Sequence, residues 1–239
     1  MSSIKNPGRF AGALYVLMSI LGFFAIGYVP GKLIVHGNAA ATATNIAASE
    51  TLFRLGIAGE LIGQAGFIFV ALALYDLLKG VNQRHATLMV ILIVVSIPIA
   101  FVNELNSIAA LVLVRGADFL SVFEKPQREA LAMLFLNLHN QGFVVAEIFW
   151  GLWLFPLGLL VYRSRFLPRV LGAWLVLAGV AWVILSLTGL LLPQYEDKVN
   201  TYSQPAVFGE IAFMLWLLIK GAKPPAQDAA AKPISESVL

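Results

Sequence analysis

The sequence predicts an all-α fold: a polytopic transmembrane helix bundle of six spans, with both termini on the cytoplasmic side. Three observations carry this expectation. Hydrophobic residues make up 59% of the 239 and charged residues only 12%, with a mean hydropathy of +0.84, far from soluble averages. Apolar runs close to the roughly 20 helical residues needed to cross a bilayer core recur six times. None of them alternates with period two, and in lipid a chain that is not a closed barrel must satisfy its backbone within helices. Cysteine is absent, which excludes disulfides, thiolate metal sites, iron–sulfur clusters and cysteine nucleophiles. A net charge of +3 gives nucleic-acid binding no support.

The first run extends from Phe10 to Tyr28. Lys5 and Arg9 precede it as they would in a signal peptide, but it is longer than a secretory h-region. The small-residue stretch AAATA at 39–43 also lies well beyond its end, so the span is expected to be retained. The second and third runs are Leu52 to Leu78 and Thr87 to Val114. The fourth ends near Tyr162 and can begin as early as Pro126, which suits a first helical turn after Glu124 and Lys125. A helix of that length either projects from the membrane or bends near Gly142. The fifth and sixth runs are Val170 to Leu192 and Pro205 to Ile219. Residues 1–222 thus form one bundle. Residues 223–239, within AKPPAQDAAAKPISESVL, are small, polar and proline-interrupted and read as a disordered cytoplasmic tail. No internal repeat is visible between residues 1–115 and 116–220, which argues against an inverted-repeat transporter.

Orientation follows from the sixteen Lys and Arg. Lys5, Arg9, Lys79, Arg84, Arg163, Arg165, Arg169, Lys220, Lys223 and Lys232 fall on one side. Lys32, Arg54, Arg115, Lys125, Arg128 and Lys198 fall on the other, and the richer side is cytoplasmic by the positive-inside rule. The segment RSRFLPR at 163–169 marks that side most clearly, and the Pro30 to Glu50 and Arg115 to Glu129 loops are placed outside.

Four stretches have a familiar look: GRFAGALYVL at 8–17, GNAAATATNIAASETLFRLGI at 37–57, FWGLWLFPLGLLVYRSRFLPRVLGAWLVLAGV at 149–180 and EIAFMLWLLIKG at 210–221. In these the chain resembles a bacterial family of polytopic membrane proteins known as domain of unknown function 4386, over residues 8–221. The resemblance implies a multi-helix bundle in the bacterial cytoplasmic (inner) membrane and supplies no catalytic residues.

The chemistry must therefore come from the polar residues inside the spans. Glu60, Glu104, Glu147 and Glu210 interrupt the second, third, fourth and sixth runs. A charge near mid-membrane costs on the order of 2.5–3.5 kcal/mol on insertion scales, and four cost about 10 kcal/mol. They are thus neutral, paired, metal-bound or wet. Glu60 lies nine residues into its span from Thr51, and Glu104 eleven before Arg115. Both lie roughly 13–17 Å from the outer surface at 1.5 Å per residue, a level at which they can meet. Gln64 shares a helix face with Glu60, Ser107 shares one with Asn103 and Glu104, and Asn140 shares one with Glu147, with His139 beside that stripe. The spans without central ionisable residues, the first and fifth, are expected to pack outside the other four.

This pattern predicts an acidic polar cavity in the outer half of the bundle, lined by Glu60, Gln64, Asn103, Glu104, Ser107, Asn140, Glu147 and Glu210. Four carboxyls set against His139 and Arg54 favour a proton, a small cation or another polar solute. Taken singly, the amide and hydroxyl side chains also serve as interhelical glue, and the five tryptophans read as packing or interface residues. Two functional classes follow. One is binding or transport of a small cationic or polar solute, coupled to protonation of Glu60 or Glu104. The other is a metal-dependent membrane enzyme acting on a lipid or apolar substrate, with a single divalent ion held by His139, Glu60 and Glu104. A scaffold or sensor without turnover is the third. No haem or nucleotide signature, GxSxG, HExxH or Glu-x-x-His pair is present, and oligomeric state is not encoded in any visible motif.

Overall fold

The computed structural model describes residues 6–223, and among these the chain is helical with no strand. Six helical stretches are long and apolar enough to cross a membrane: Pro7–Leu33, Glu50–Leu78, Gln83–Arg115, Lys125–Arg163, Arg169–Leu191 and Pro193–Ile219. Expectations for Lys5, Lys232 and the tail from residue 224 lie outside the described residues.

Local chemistry sets the helix ends. Helix α1 (Pro7–Gly22) starts where the Asn6 side chain accepts from Arg9 N at 3.1 Å, with Pro7 in the first turn, a position that needs no N–H. The first span then passes through a π-helical stretch at Phe23–Tyr28 into α2 (Val29–Leu33). Pro30 offers no N–H to the carbonyl one turn back, and the hydrogen-bond ladder widens just before it. Helix α3 (Ala39–Ala48), capped by Asn38, lies in the loop between the first and second spans. Helices α4 (Glu50–Leu78) and α5 (Gln83–Arg115) follow. Asn82 caps the start of α5, and Gly116 at φ 70° ends it in the left-handed conformation that favours glycine. Where α4 ends, Lys79 bonds Asp76 at 2.6 Å, and the carboxylate holds the ammonium pKa above its ordinary value.

Helix α6 (Lys125–Leu152) opens on a reciprocal capping box between Glu124 and Gln127, with Pro126 in its first turn. It runs straight through Gly142. The break falls instead at Trp153, before α7 (Leu154–Arg163), because Pro156 has no N–H for the carbonyl four residues back. The whole fourth span, 39 residues, is about 58 Å long if fully helical. Its start therefore projects beyond a core of roughly 30 Å, and α3 packs against it. After α8 (Arg169–Leu191), helix α9 (Glu196–Ile219) begins nine residues before Pro205, which lies inside the helix and does not start it.

Each span packs on the next, and α9 closes back onto α1, so the six form a ring in chain order. This corrects the expectation that the first and fifth spans stand outside the others. Two apolar cores fill the ring. One gathers Leu74, Leu77, Met89, Leu154, Leu157, Leu175, Phe213 and Leu217. The other gathers Leu33, Ile46, Phe53, Leu111 and Leu136 at the opposite end. Large apolar side chains such as Phe69, Val102 and Val170 face outward, as lipid contact requires. Between the cores lies a polar storey built from residues 56–67 of α4, 100–107 of α5 and 139–150 of α6.

Candidate functional site

The buried acids belong to two polar clusters, one within the storey of α4, α5 and α6 and one around Glu210 of α9. In the first, His139 of α6 reaches across to both neighbouring helices. Its Nε2 lies 2.9 Å from Glu104 Oε2 and 3.5 Å from Glu60 Oε2. Glu60 is 5% exposed and Glu104 2%. The two acids do share one level of the bundle, as their counted depths indicate. One imidazole nitrogen can aim one proton at only one of these acceptors, and Glu60 Oε1 is buried with no hydrogen-bond partner among the described residues.

The neighbours of this triad hold the helices together. Asn103 Nδ2 donates to the His139 carbonyl at 2.9 Å, and Asn106 Nδ2 donates to Asn103 Oδ1 at 3.2 Å. The approach needs Gly142: a Cβ there would occupy the space of the Asn103 side chain. Asn103 thus joins α5 to α6 and carries the structural half of its expected role. Ser107 is buried on the same helix, and Ser186 Oγ of α8 donates to Val144 O at 2.5 Å. Bonds of this kind contribute about 1 kcal/mol or less each in a membrane.

The second cluster surrounds Glu210 of α9. Tyr15 OH of α1 donates to Glu210 Oε1, and Trp182 Nε1 of α8 donates to Oε2 at 3.4 Å. Both partners come from the spans expected to lie outside. Their aromatic character concealed them, since a Tyr or Trp in an apolar helix reads first as packing.

A cavity of about 430 Å³ connects the two clusters. Its wall includes Glu60, Gln64, Ser96, Ser19 and Glu210, and its aromatic lining is Phe23, Phe67, Trp150, Trp153 and Trp182. Every span contributes, and no Lys or Arg is among the lining residues. Four lining positions, Gly22, Phe23, Ile26 and Gly27, fall in or beside the π-helical stretch of the first span. A second cavity of about 440 Å³ shares Ser19, Phe23, Trp182 and Glu210 with the first and continues between α1 and α9 toward the outward-facing Ile20 and Ile211.

Other expected members are placed elsewhere. Asn140 is exposed: His139, one residue earlier, takes the inward direction on α6, and the Asn140–Glu147 stripe lies off it. Glu147 is half-buried and absent from both cavity walls. Glu104, Asn103 and Ser107, expected in the cavity wall, are in neither wall: Glu104 turns its carboxyl onto His139, and Asn103 and Ser107 are buried on the same helix. Arg54 bonds Glu50 at 2.7 Å in the first turns of α4.

The ring of six apolar helices around a polar storey defines a multi-pass integral membrane protein, whose environment is a lipid bilayer. The family described as domain of unknown function (DUF4386) matches residues 10–221, and the chain belongs to that family. A protein titled "Uncharacterized protein" from Archaeoglobus fulgidus is 31% identical over 156 residues, 65% of this chain and 77% of that one. No solved structure matches the chain.

Proposed function

We propose that the protein binds, and by alternating exposure carries, a small organic cation in its central cavity, with the carboxyl groups of Glu60 and Glu210 as counter-charges. The observation that supports this most directly is the make-up of the wall: two carboxyls and five aromatic rings with no lining Lys or Arg. An ammonium group gains from a carboxylate and from the faces of Trp and Phe rings, the latter contributing about 0.5–2 kcal/mol. A volume of about 430 Å³ lies at the small end of the range for ligand pockets. Proton coupling fits the same geometry, because a cation can displace the proton of a buried acid. The proposed membrane is the bacterial cytoplasmic one, with both termini inside.

Choline and its neutral isostere 3,3-dimethylbutanol separate charge recognition from mere burial. Titrated into purified protein, choline should quench or shift the emission of Trp150 and Trp182, and the alcohol should not. Glu210→Gln should weaken choline binding by at least about tenfold, the loss of one charge-assisted contact. Equal responses to the two compounds, or a Glu210→Gln protein that binds choline as the parent does, would overturn the proposal.

A further inference from the structure

We infer that Glu60, Glu104 and His139 form a binding site for one divalent first-row metal ion, set between α4, α5 and α6 at the wall of the central cavity. Each residue offers one ligand atom, and these atoms lie within 4.8 Å of one another. The His139 Nε2 separations of 2.9 and 3.5 Å from the two carboxylate oxygens match neighbouring ligands on an ion. Two tetrahedral ligands at about 2.1 Å from zinc are about 3.4 Å apart. Imidazole with two carboxylates is a donor set for zinc, manganese or iron, and the two negative charges balance a divalent cation.

Proximity alone would not make this a site. The independent observation is Glu60 Oε1, an oxygen of a side chain 95% buried (5% exposed) that has no hydrogen-bond donor. Buried polar atoms are nearly always satisfied. With both carboxylates ionised, lone pairs outnumber protons around this triad: a neutral imidazole brings one N–H, its Nε2 already faces two carboxylate oxygens, and Asn103 Nδ2 bonds the His139 carbonyl and neither acid. A cation removes that surplus of acceptors, which a single further hydrogen bond does not. Asn103, by fixing the backbone at His139, is a positioning residue. Glu60 belongs to both triad and cavity wall, so an ion held there takes up the Glu60 charge and leaves Glu210 as the counter-charge for whatever occupies the cavity.

The test is calorimetric titration of Zn²⁺ into tag-free, chelator-washed protein carrying His36→Ala and His85→Ala, which removes the loop imidazoles as competing ligands. A single high-affinity ion per chain is expected. Affinity should fall more than about a hundredfold in His139→Ala and in the nearly isosteric Glu104→Gln, beyond the loss usual for an outer-sphere partner. If His139→Ala does not fold, Glu104→Gln, judged by its elution as a monodisperse species, decides alone. An absence of saturable Zn²⁺ binding, or affinity unchanged in a folded Glu104→Gln protein, overturns the site. Choline binding is scored separately: a zinc site without choline recognition sinks the proposed function and leaves this inference standing, and the reverse outcome does the opposite.

Discussion

Glu104 is where ionisation and packing can be told apart. It is 2% exposed and bonded to His139 at 2.9 Å. Glu104→Gln keeps the shape and a hydrogen-bonding oxygen, so expression and thermal unfolding in detergent should stay close to the parent. Glu104→Leu strands the imidazole against hydrocarbon and should cost on the order of 1–3 kcal/mol, read as a lower unfolding midpoint. Equal collapse of both would leave no separate role for the charge. Arg165 gives the opposite sign. It is the only non-glycine with positive φ among the described residues, at 61°, in the turn where Ser164 Oγ accepts from Leu167 N. Arg165→Gly removes the steric cost of that conformation, about 1 kcal/mol, and should raise the unfolding midpoint slightly. At this scale the sequence was legible for Glu60, Gln64 and Glu210 as wall residues, because a polar side chain in an apolar run stands out, although the same signal placed Glu104 and Glu147 in a wall that neither of them lines. It was not legible for Tyr15 and Trp182, whose hydrogen-bonding ends are hidden by apolar rings, nor for the one-residue choice between His139 and Asn140. That choice depends on the rotation of α6 about its axis, which packing against α5 and α8 decides.

Helix elements show which periodic signals suffice. Six apolar runs gave six spans, and Pro126 after Glu124 marked the start of α6 because an N–H is dispensable there. The ends were less certain: Pro205 resembles a start yet lies inside α9, since nine preceding polar and apolar residues continue the helix outward. The close contact of the fourth and fifth spans depends on four glycines. A Cβ at Gly151 would stand 2.6 Å from Gly179 O, and one at Gly158 2.7 Å from Gly172 O. Small residues of this kind let membrane helices approach closely. Gly158→Val should therefore push α7 off α8 and destabilise the bundle by about 1–3 kcal/mol. By contrast Gly22→Ala, at a helical position with nothing near its Cβ, should raise the unfolding midpoint slightly, since Ala is better in a helix than Gly by up to about 1 kcal/mol. Both are measured by thermal unfolding in the same detergent.

At the level of the whole molecule the ring closes in chain order, with α9 against α1, and the polar storey is sealed by an apolar core at each end. The absence of cysteine makes its orientation directly measurable. With both termini inside, a cysteine replacing Ser121 should react with a membrane-impermeant maleimide on intact cells, and one replacing Arg165 should react only after lysis; the reverse pattern inverts the topology. The cleft between α1 and α9 leads from outward-facing Ile20 and Ile211 to Glu210, so the side of the barrel, and not its capped ends, is the short way in. Solutes arriving by that route are drawn from the acyl-chain phase, and their effective dose is set by partitioning. In an alkylammonium series each added methylene should then tighten apparent affinity by about fourfold, following roughly 0.8 kcal/mol per CH₂, even where the extra carbon touches no protein.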